Sequence, residues 1–347
     1  MATAIYTRSP YFITVTGVVA DETRCDLYIW NDPASTPATP TVELDKPIPY
    51  GTTADFDVSP YLREYIANRA YVEVTADTAK PVAEYCWVTI KTYLNDVLQA
   101  TASSALCLDG YGYFEDGKNP VLGVISAIPP FMTQGTYYVK DSGNTGGLSY
   151  FDDGVVTWEA KWTGIGTVTS TTTVTLGQEV GYVPYIHPTY TGTGGNILLI
   201  VRNAVTVGTY RFEEVCESKY TPIECDFINR YGMWQRVIFF KASKKEMTMS
   251  DNEYSLMPTN LNYNIQNPIK KSFNVNGQES IMCNTGWVVE GYSEVMKELL
   301  LSETILLDAK PVKLTTKNVK LMTHLNDKLI NYELKFDYSN LMLNYVI

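Results

Sequence analysis

The sequence predicts a mainly β, multi-domain protein with an N-terminal β-sandwich, a middle all-β unit and a C-terminal α+β unit built around one main helix. Apolar and polar residues alternate with period two through most of the chain, the pattern of strands with one buried face. Clusters of Gly, Pro, Asn and Asp separate these runs at short intervals, as turns between strands require. The 26 tyrosines supply large rings with a polar tip, which suit strands and interfaces better than helical bundles. At 347 residues the chain is too long for one typical core, so two or three domains are expected.

Residues 1–108 read as the sandwich. Strand-like runs fall at 11–19, 24–30, 54–58, 71–75, 83–93 and 98–107, with turn chemistry at Asn31-Asp32-Pro33 and one short helix candidate at 60–68. Cys25, Leu27 and Ile29 alternate with Asp26, Tyr28 and Trp30. Residues 109–215 read as the middle unit. It opens on the turn-dense stretch 109–120 and continues through Gly-, Thr- and Tyr-rich chain with a β-branched run at 197–201 and long loops.

Residues 216–347 read as the α+β unit, and the stretch 225–245 organises it. Phe227-Ile228 and residues 237–240 are β-prone and flank Asn229-Arg230-Tyr231-Gly232, where Asn and Gly tolerate the positive φ of a tight reversal. The spacing predicts a hairpin. Its rings, Tyr231, Trp234, Phe239 and Phe240, are candidate interface residues, although aromatic strands of this kind also serve as ordinary core. Farther on, Val288, Tyr292, Val295, Met296, Leu299 and Leu300 share one helical face, with Thr285 as candidate N-cap. Strands are expected at 312–322 and 329–338; in the second, Ile330, Tyr332, Leu334 and Phe336 form the buried face.

The composition excludes several function classes. A formal net charge of −11 without a basic stripe argues against nucleic acid as a ligand. No apolar run reaches the roughly 18 residues of a membrane span, and residues 1–10 lack the core of a signal peptide, so synthesis and folding in a cytoplasm are expected. The six cysteines include no Cys-x-x-Cys pair, and the default is free thiols, with Cys216 and Cys225 the one pair that could meet across a turn. The two histidines, His187 and His324, lie in turn-rich chain without a nucleophile elbow or a zinc helix.

Asp152-Asp153, Glu115-Asp116 and Glu213-Glu214 are the carboxylate pairs a glycosidase would need, but each also reads as turn or strand-edge chemistry. The loop beginning Asp141-Ser142-Gly143-Asn144 lacks calcium-ligand spacing, and no Gly-Lys-Ser/Thr follows the Gly-rich loops. No cofactor, metal or catalytic constellation is therefore expected. A second reading, a carbohydrate- or receptor-binding module, rests on aromatic residues at 182–190 and around Trp158 and Trp162.

Several stretches carry a resemblance. Ser9-Pro10-Tyr11-Phe12-Ile13, Asp57-Val58-Ser59-Pro60-Tyr61-Leu62, Gly110-Tyr111-Gly112-Tyr113-Phe114-Glu115-Asp116-Gly117, Phe227-Ile228-Asn229-Arg230-Tyr231-Gly232 and Phe239-Phe240-Lys241 occur in that order. With Asn284-Thr285-Gly286-Trp287, residues 298–303 and residues 331–336, they make the chain similar to structural proteins of tailed bacteriophages of the Bacteroidota, including crAss-like phages. The resemblance implies a virion component, in the tail, with no catalytic or ligand-binding residues to carry over. Its expected partners are further copies of itself, in a ring of sixfold or twelvefold symmetry, and other tail proteins.

Overall fold

The computed structural model describes residues 3–31, 36–67, 78–79, 84–124, 129–140, 146–164, 169–174, 179–184, 196–215, 219–256, 266, 268–320 and 329–343. Strands make up 57% and helices 8% of the chain so described, which is the mainly β class that the alternation predicts. The chain forms two compact units. One gathers Met1–Cys216, Asp226–Val237 and Gly291–Glu303; the other gathers Glu217–Cys225, Ile238–Glu290 and Thr304–Ile347.

The larger unit is built on a seven-stranded sheet. Its strands run in the order Val121–Val124, Thr3–Tyr6, Ala105–Leu108, Cys86–Leu94, Glu22–Trp30 and Val42–Pro47, with Val97–Thr101 also paired to Cys86–Leu94. All pairings are antiparallel except Thr3–Tyr6 beside Ala105–Leu108. One face carries Ile5, Cys25, Leu27, Ile29, Val88 and Ile90, packed with Val15, Phe56 and Leu62 from the two-stranded sheet Phe12–Thr16/Thr53–Asp57 and the helix Ser59–Glu64. The other face carries Tyr28, Trp30, Trp87, Leu106 and Leu108, packed with Phe131, Phe151, Val180 and Met233. The Glu22–Trp30 strand is thus buried on both faces, so its apparently half-polar side, Asp26 included, lies inside.

Two further sheets complete this unit. Gly135–Val139, Val205–Glu214, Asn196–Arg202, Trp158–Gly164 and Thr169–Val174 form five strands in that order. Gly147–Asp152 and Glu179–Pro184 pair with each other, and Gly181 and Tyr182 pair in turn with Ala79 and Thr78. The smaller unit centres on a sheet that includes Ile305–Leu307, Lys310–Leu314, Leu329–Tyr338, Lys270–Val289 and Lys244–Ser255 in that order.

Three two-residue turns join neighbouring antiparallel strands with both φ angles positive: Asn95-Asp96 at 47° and 62°, Asn203-Ala204 at 48° and 63°, and Asp308-Ala309 at 45° and 62°. Such turns match the right-handed twist of the flanking strands, and Asn or Asp at the first position tolerates the left-handed region. The first of them opens the hairpin that divides the expected strand 98–107. Val97–Thr101 belongs to that exposed hairpin, and Ala105–Leu108 is a separate, fully buried strand.

The main helix is shorter than its apolar spacing suggests. It spans Tyr292–Leu301 with Gly291 at the N-cap, because the preceding strand Lys270–Val289 runs through Thr285 and Val288. Thr285 is buried there and is no helix cap; its hydroxyl donates to Gly286 O at 2.9 Å and accepts from Tyr332 N at 3.1 Å. A sheet position satisfies these backbone groups as well as a helix turn would. The strand expected at 312–322 is Lys310–Leu314, whereas Leu329–Tyr338 forms as the alternation predicts, with Ile330, Tyr332, Leu334 and Phe336 buried. The strand expected at 71–75 lies outside the described residues.

Candidate functional site

The turn at Asn229–Gly232 forms as its residue types demand. Asn229 N donates to Met233 O at 2.8 Å, Gly232 N donates to Asn229 O at 3.0 Å, and Gly232 has φ +79°. The Asn229 side chain is wholly buried and fully used. Its Oδ1 accepts from Tyr231 N at 3.0 Å and Met233 N at 3.1 Å; its Nδ2 donates to Phe131 O at 2.8 Å and Gln235 Oε1 at 3.0 Å. Gln235 Nε2 then reaches Tyr137 Oη at 3.3 Å. A buried polar chain with its partners in place stabilises one backbone arrangement over its competitors.

This turn is threaded against the glycine-rich segment at 109–117. Tyr111 N donates to Arg230 O at 2.9 Å, Arg8 N to Gly110 O at 3.0 Å, and Gly112 N to Ser9 Oγ at 2.8 Å. A Cβ on Gly110 would lie 2.7 Å from Arg230 O, and one on Gly232 would lie 2.5 Å from Asp109 C. Neither chain could approach the other if either glycine carried a side chain.

Around the crossing lies a charge network. Arg230 Nη2 meets Asp116 Oδ2 at 3.1 Å, Arg8 Nη2 meets Glu303 Oε1 at 2.9 Å, and Arg63 bridges Glu303 Oε2 at 2.6 Å and Asp109 Oδ1 at 3.3 Å. The Tyr113 ring meets two cations, Arg230 at 4.6 Å and Lys297 at 4.4 Å from its centroid. Arg8 lies 5.1 Å from the Tyr111 ring. Burial pushes Glu303 upward, but its bonds to Arg63 and Arg8 outweigh that and hold its carboxyl below the ordinary range.

Glu298 is the opposite case. It is 4% exposed and accepts from Thr133 Oγ1 at 2.5 Å, and burial pushes its pKa up against the pull of Thr133 and Arg230. Burial likewise raises the hydroxyl pKa values of Tyr6, Tyr111 and Tyr231. These three hydroxyls stay protonated and neutral near pH 7.

On this site stands Phe114, in a 3-10 turn spanning Phe114–Asp116, with its side chain wholly in solvent at 101% relative exposure. The turn beneath it is fixed: Tyr113 N donates to Asp116 Oδ2 at 2.7 Å, and Asp116 N to Tyr113 O at 2.9 Å. The chemistry of the site is that of a clasp. Its arginines and carboxylates bind one another and hold a rigid aromatic outward.

Trp234, Phe239 and Phe240 are 3%, 0% and 2% exposed, and Tyr231 is half-buried against Phe131 at 6.3 Å. Phe239 stacks edge-on with Phe336 at 5.9 Å. The chain's own residues thus bury most of this aromatic surface. Arg8, Arg63, Glu298, Glu303 and the exposed Phe114 escape a reading by spacing, because they lie far apart in sequence; Arg63 and Glu303 are separated by 240 positions. The one signal for them in the sequence is that several of the stretches carrying the resemblance contain or adjoin these residues.

Members of each carboxylate pair are engaged in turns and ion pairs, Asp116 with Arg230 as above. Asp153 binds Arg202 Nη2 at 2.5 Å and caps Val155 N, Asp152 accepts from Gly154 N at 2.9 Å, and Glu213 meets Arg211 at 3.2 Å. Trp158 and Trp162, which with the aromatics at 182–190 prompted the carbohydrate reading, sit in a strand at 2% and 6% exposure, against Tyr150 at 5.3 Å and Phe212 at 5.5 Å. His187, His324, Cys216 and residues 141–145 and 185–190 lie outside the described residues. Among the described residues there is no metal-binding cluster of His, Cys, Asp or Glu, and no helix long and apolar enough to cross a membrane. In comparisons with known proteins, no family model matches this chain and no curated protein matches it.

Proposed function

We propose that this chain is a non-enzymatic structural protein of a tailed-bacteriophage virion, building a ring, collar or adaptor layer of the tail through contacts with copies of itself and with other tail proteins. The observation that carries the reading is Phe114, a phenyl ring kept fully in water on a turn that hydrogen bonds, an ion pair and two cations at the Tyr113 ring hold in place. Single exposed apolar side chains are common. An aromatic on a rigid support is different, because it docks into a partner's pocket with little loss of freedom, the property of an interface anchor. The sequence resemblance to phage structural proteins supplies the setting, and its stretches at 9–13, 57–62, 110–117, 227–232 and 298–303 contain or adjoin the residues of this clasp.

Mass spectrometry of purified particles with cryo-EM of the virion tests the proposal. A stoichiometric ring of sixfold or twelvefold symmetry is the expected result; a protein missing from purified particles would overturn it. Of the aromatics that motivate the alternative, a receptor- or carbohydrate-binding tail-fibre or baseplate module, Trp158, Trp162 and Tyr182 are buried, and residues 185–190 lie outside the described residues. Glycan binding by the isolated protein would favour that alternative.

A further inference from the structure

The strand Lys244–Ser255 is twelve residues long, every one of them exposed, and it is the last in the strand order of its sheet among the described residues. At about 3.4 Å per residue it presents a free edge roughly 40 Å long. Folded proteins usually blunt such an edge with prolines, bulges or like charges, because its unpaired N–H and C=O groups template another strand. Here the bulge falls on the neighbouring strand. Ser250 pairs with Asn276 and Asn252 with Phe273, so Asn274 and Val275 stand opposite Asp251 alone, with Asn274 at φ 52°. The edge strand itself stays regular and contains no proline.

Its charges are sorted by sign along its length. Lys244 and Lys245 stand at the start, Asp251 and Glu253 toward the end; Glu246 lies on the other face from Lys245 and is bound to Lys335 at 2.5 Å. Lys245, Met247, Met249, Asp251 and Glu253 share one face. Met247 and Met249 are 54% and 65% exposed there, and Met342, 50% exposed, closes on the same patch beside Gly277. A strand that is basic at one end and acidic at the other complements itself when it meets a second copy antiparallel.

We infer that this edge is a two-fold contact between copies of the chain, in which Lys244–Ser255 pairs antiparallel with the same strand of its partner about Met249. A two-fold axis normal to the sheet opposes only residues of the same face. Centred on Met249, it sets Lys245 against the partner's Glu253 and Glu253 against the partner's Lys245, brings the Met249 side chains together, and opposes no like charges. Centring one residue earlier sets Lys245 against the partner's Asp251 instead and moves the Met249 side chains off the axis, and centring one later removes both pairs of opposite charge; the exchange of Lys245 with Glu253 tests the Met249 register specifically. Opposite charges directly across a strand pair stabilise it, and like charges destabilise it. The methionines add a flexible apolar patch that adapts to its own copy. This contact is isologous, unlike the head-to-tail contacts that close a ring, and it does not rest on the virion reading.

The test uses the full-length protein. Sedimentation velocity over a concentration series should show a dimer, or dimers of any larger ring. Lys245→Glu should weaken that step about tenfold or more, because two attractive cross-strand pairs become repulsive. Adding Glu253→Lys to the same chain should restore it, since both pairs return with their signs exchanged. Glu253 also meets Lys270 at 3.4 Å within its own hairpin, but both groups are exposed and losing that pair costs little. Met249→Cys should form an intermolecular disulfide under mild oxidation, and Lys245→Glu should suppress it. A protein that never pairs in this way at the highest concentration overturns the inference and leaves the edge to a strand of some other protein. Dimers insensitive to Lys245→Glu, or not restored by the exchange, overturn it equally. The altered side chains are all exposed, and unchanged circular dichroism separates loss of pairing from loss of fold.

Discussion

Gly110 and Gly232 sit where two backbones touch: a side chain on Gly232 would run into Asp109 and Gly110, and one on Gly110 would run into Tyr6, Arg230 and Tyr231. A Cβ on Gly232 would lie 2.7 Å from Gly110 N, and one on Gly110 would lie 2.9 Å from Tyr231 C. Gly232→Ala therefore combines a positive-φ penalty with a backbone clash, about 2–5 kcal/mol in all. Gly51 is the control, since it has φ +78° and a Cβ there would meet nothing within 4 Å. Gly51→Ala should cost only about 1–2 kcal/mol. Urea unfolding of both variants checks this, and equal losses would mean that the close approach contributes nothing.

Trp234→Ala removes a ring that is 3% exposed. The expected loss is about 3–5 kcal/mol of stability in the isolated chain, seen as a lower melting temperature. An unchanged melting temperature with lost assembly would instead assign the ring to an interface.

Phe114→Ala has the opposite expectation. The ring is fully exposed to solvent, so stability should change by less than about 0.5 kcal/mol, while assembly or incorporation into particles falls. Gel filtration and particle composition measure the second effect. Wild-type assembly by this variant would remove the observation on which the proposed function stands.

Asp226 and Arg236 form a buried two-pronged ion pair at 2.7 Å and 3.1 Å. Arg236→Ala should cost about 3–5 kcal/mol, because it takes the two-pronged cation away from a buried carboxylate. Replacing both residues with apolar side chains of similar volume should cost far less. Thermal melts of the single and double variants distinguish the two.

Glu298 links stability to pH. Its carboxyl pKa is raised in the folded state by burial, so between the ordinary value and the raised one the folded chain binds more protons than the unfolded chain. Its contribution is full below the ordinary glutamate pKa and is lost as pH rises through the folded value. Glu303 acts oppositely: its lowered pKa contributes stability above the ordinary value that disappears as pH falls. Melting temperatures of wild type and Glu298→Gln should therefore diverge in favour of the variant as pH rises above the glutamate range. Parallel curves would show that Glu298 is not strained by burial.

Local signals were legible where the physics is local. Leu329–Tyr338 could be read from its alternation because one face is buried and the other is not. The reversal at Asn229–Gly232 could be read because few residue types accept its backbone angles. The Glu22–Trp30 strand shows where this stops. Its alternation was visible, but Asp26, Tyr28 and Trp30 are buried along with Cys25 and Leu27, because a second core covers what looked like an outer face.

The mainly β class and the tight reversal at Asn229–Gly232 were already written in the residue order, since steric limits on φ and the two-residue strand period act within a few residues. Chain folding, in contrast, settled that residues 226–237 and 291–303 join the first unit, and that Arg8, Arg63, Asp109 and Glu303 meet. It also settled that Phe114 faces water while Trp158 and Trp162 do not. Those outcomes depend on which surfaces close over one another, and the free energy of burial is a property of the whole packed chain, carried by no single stretch of it.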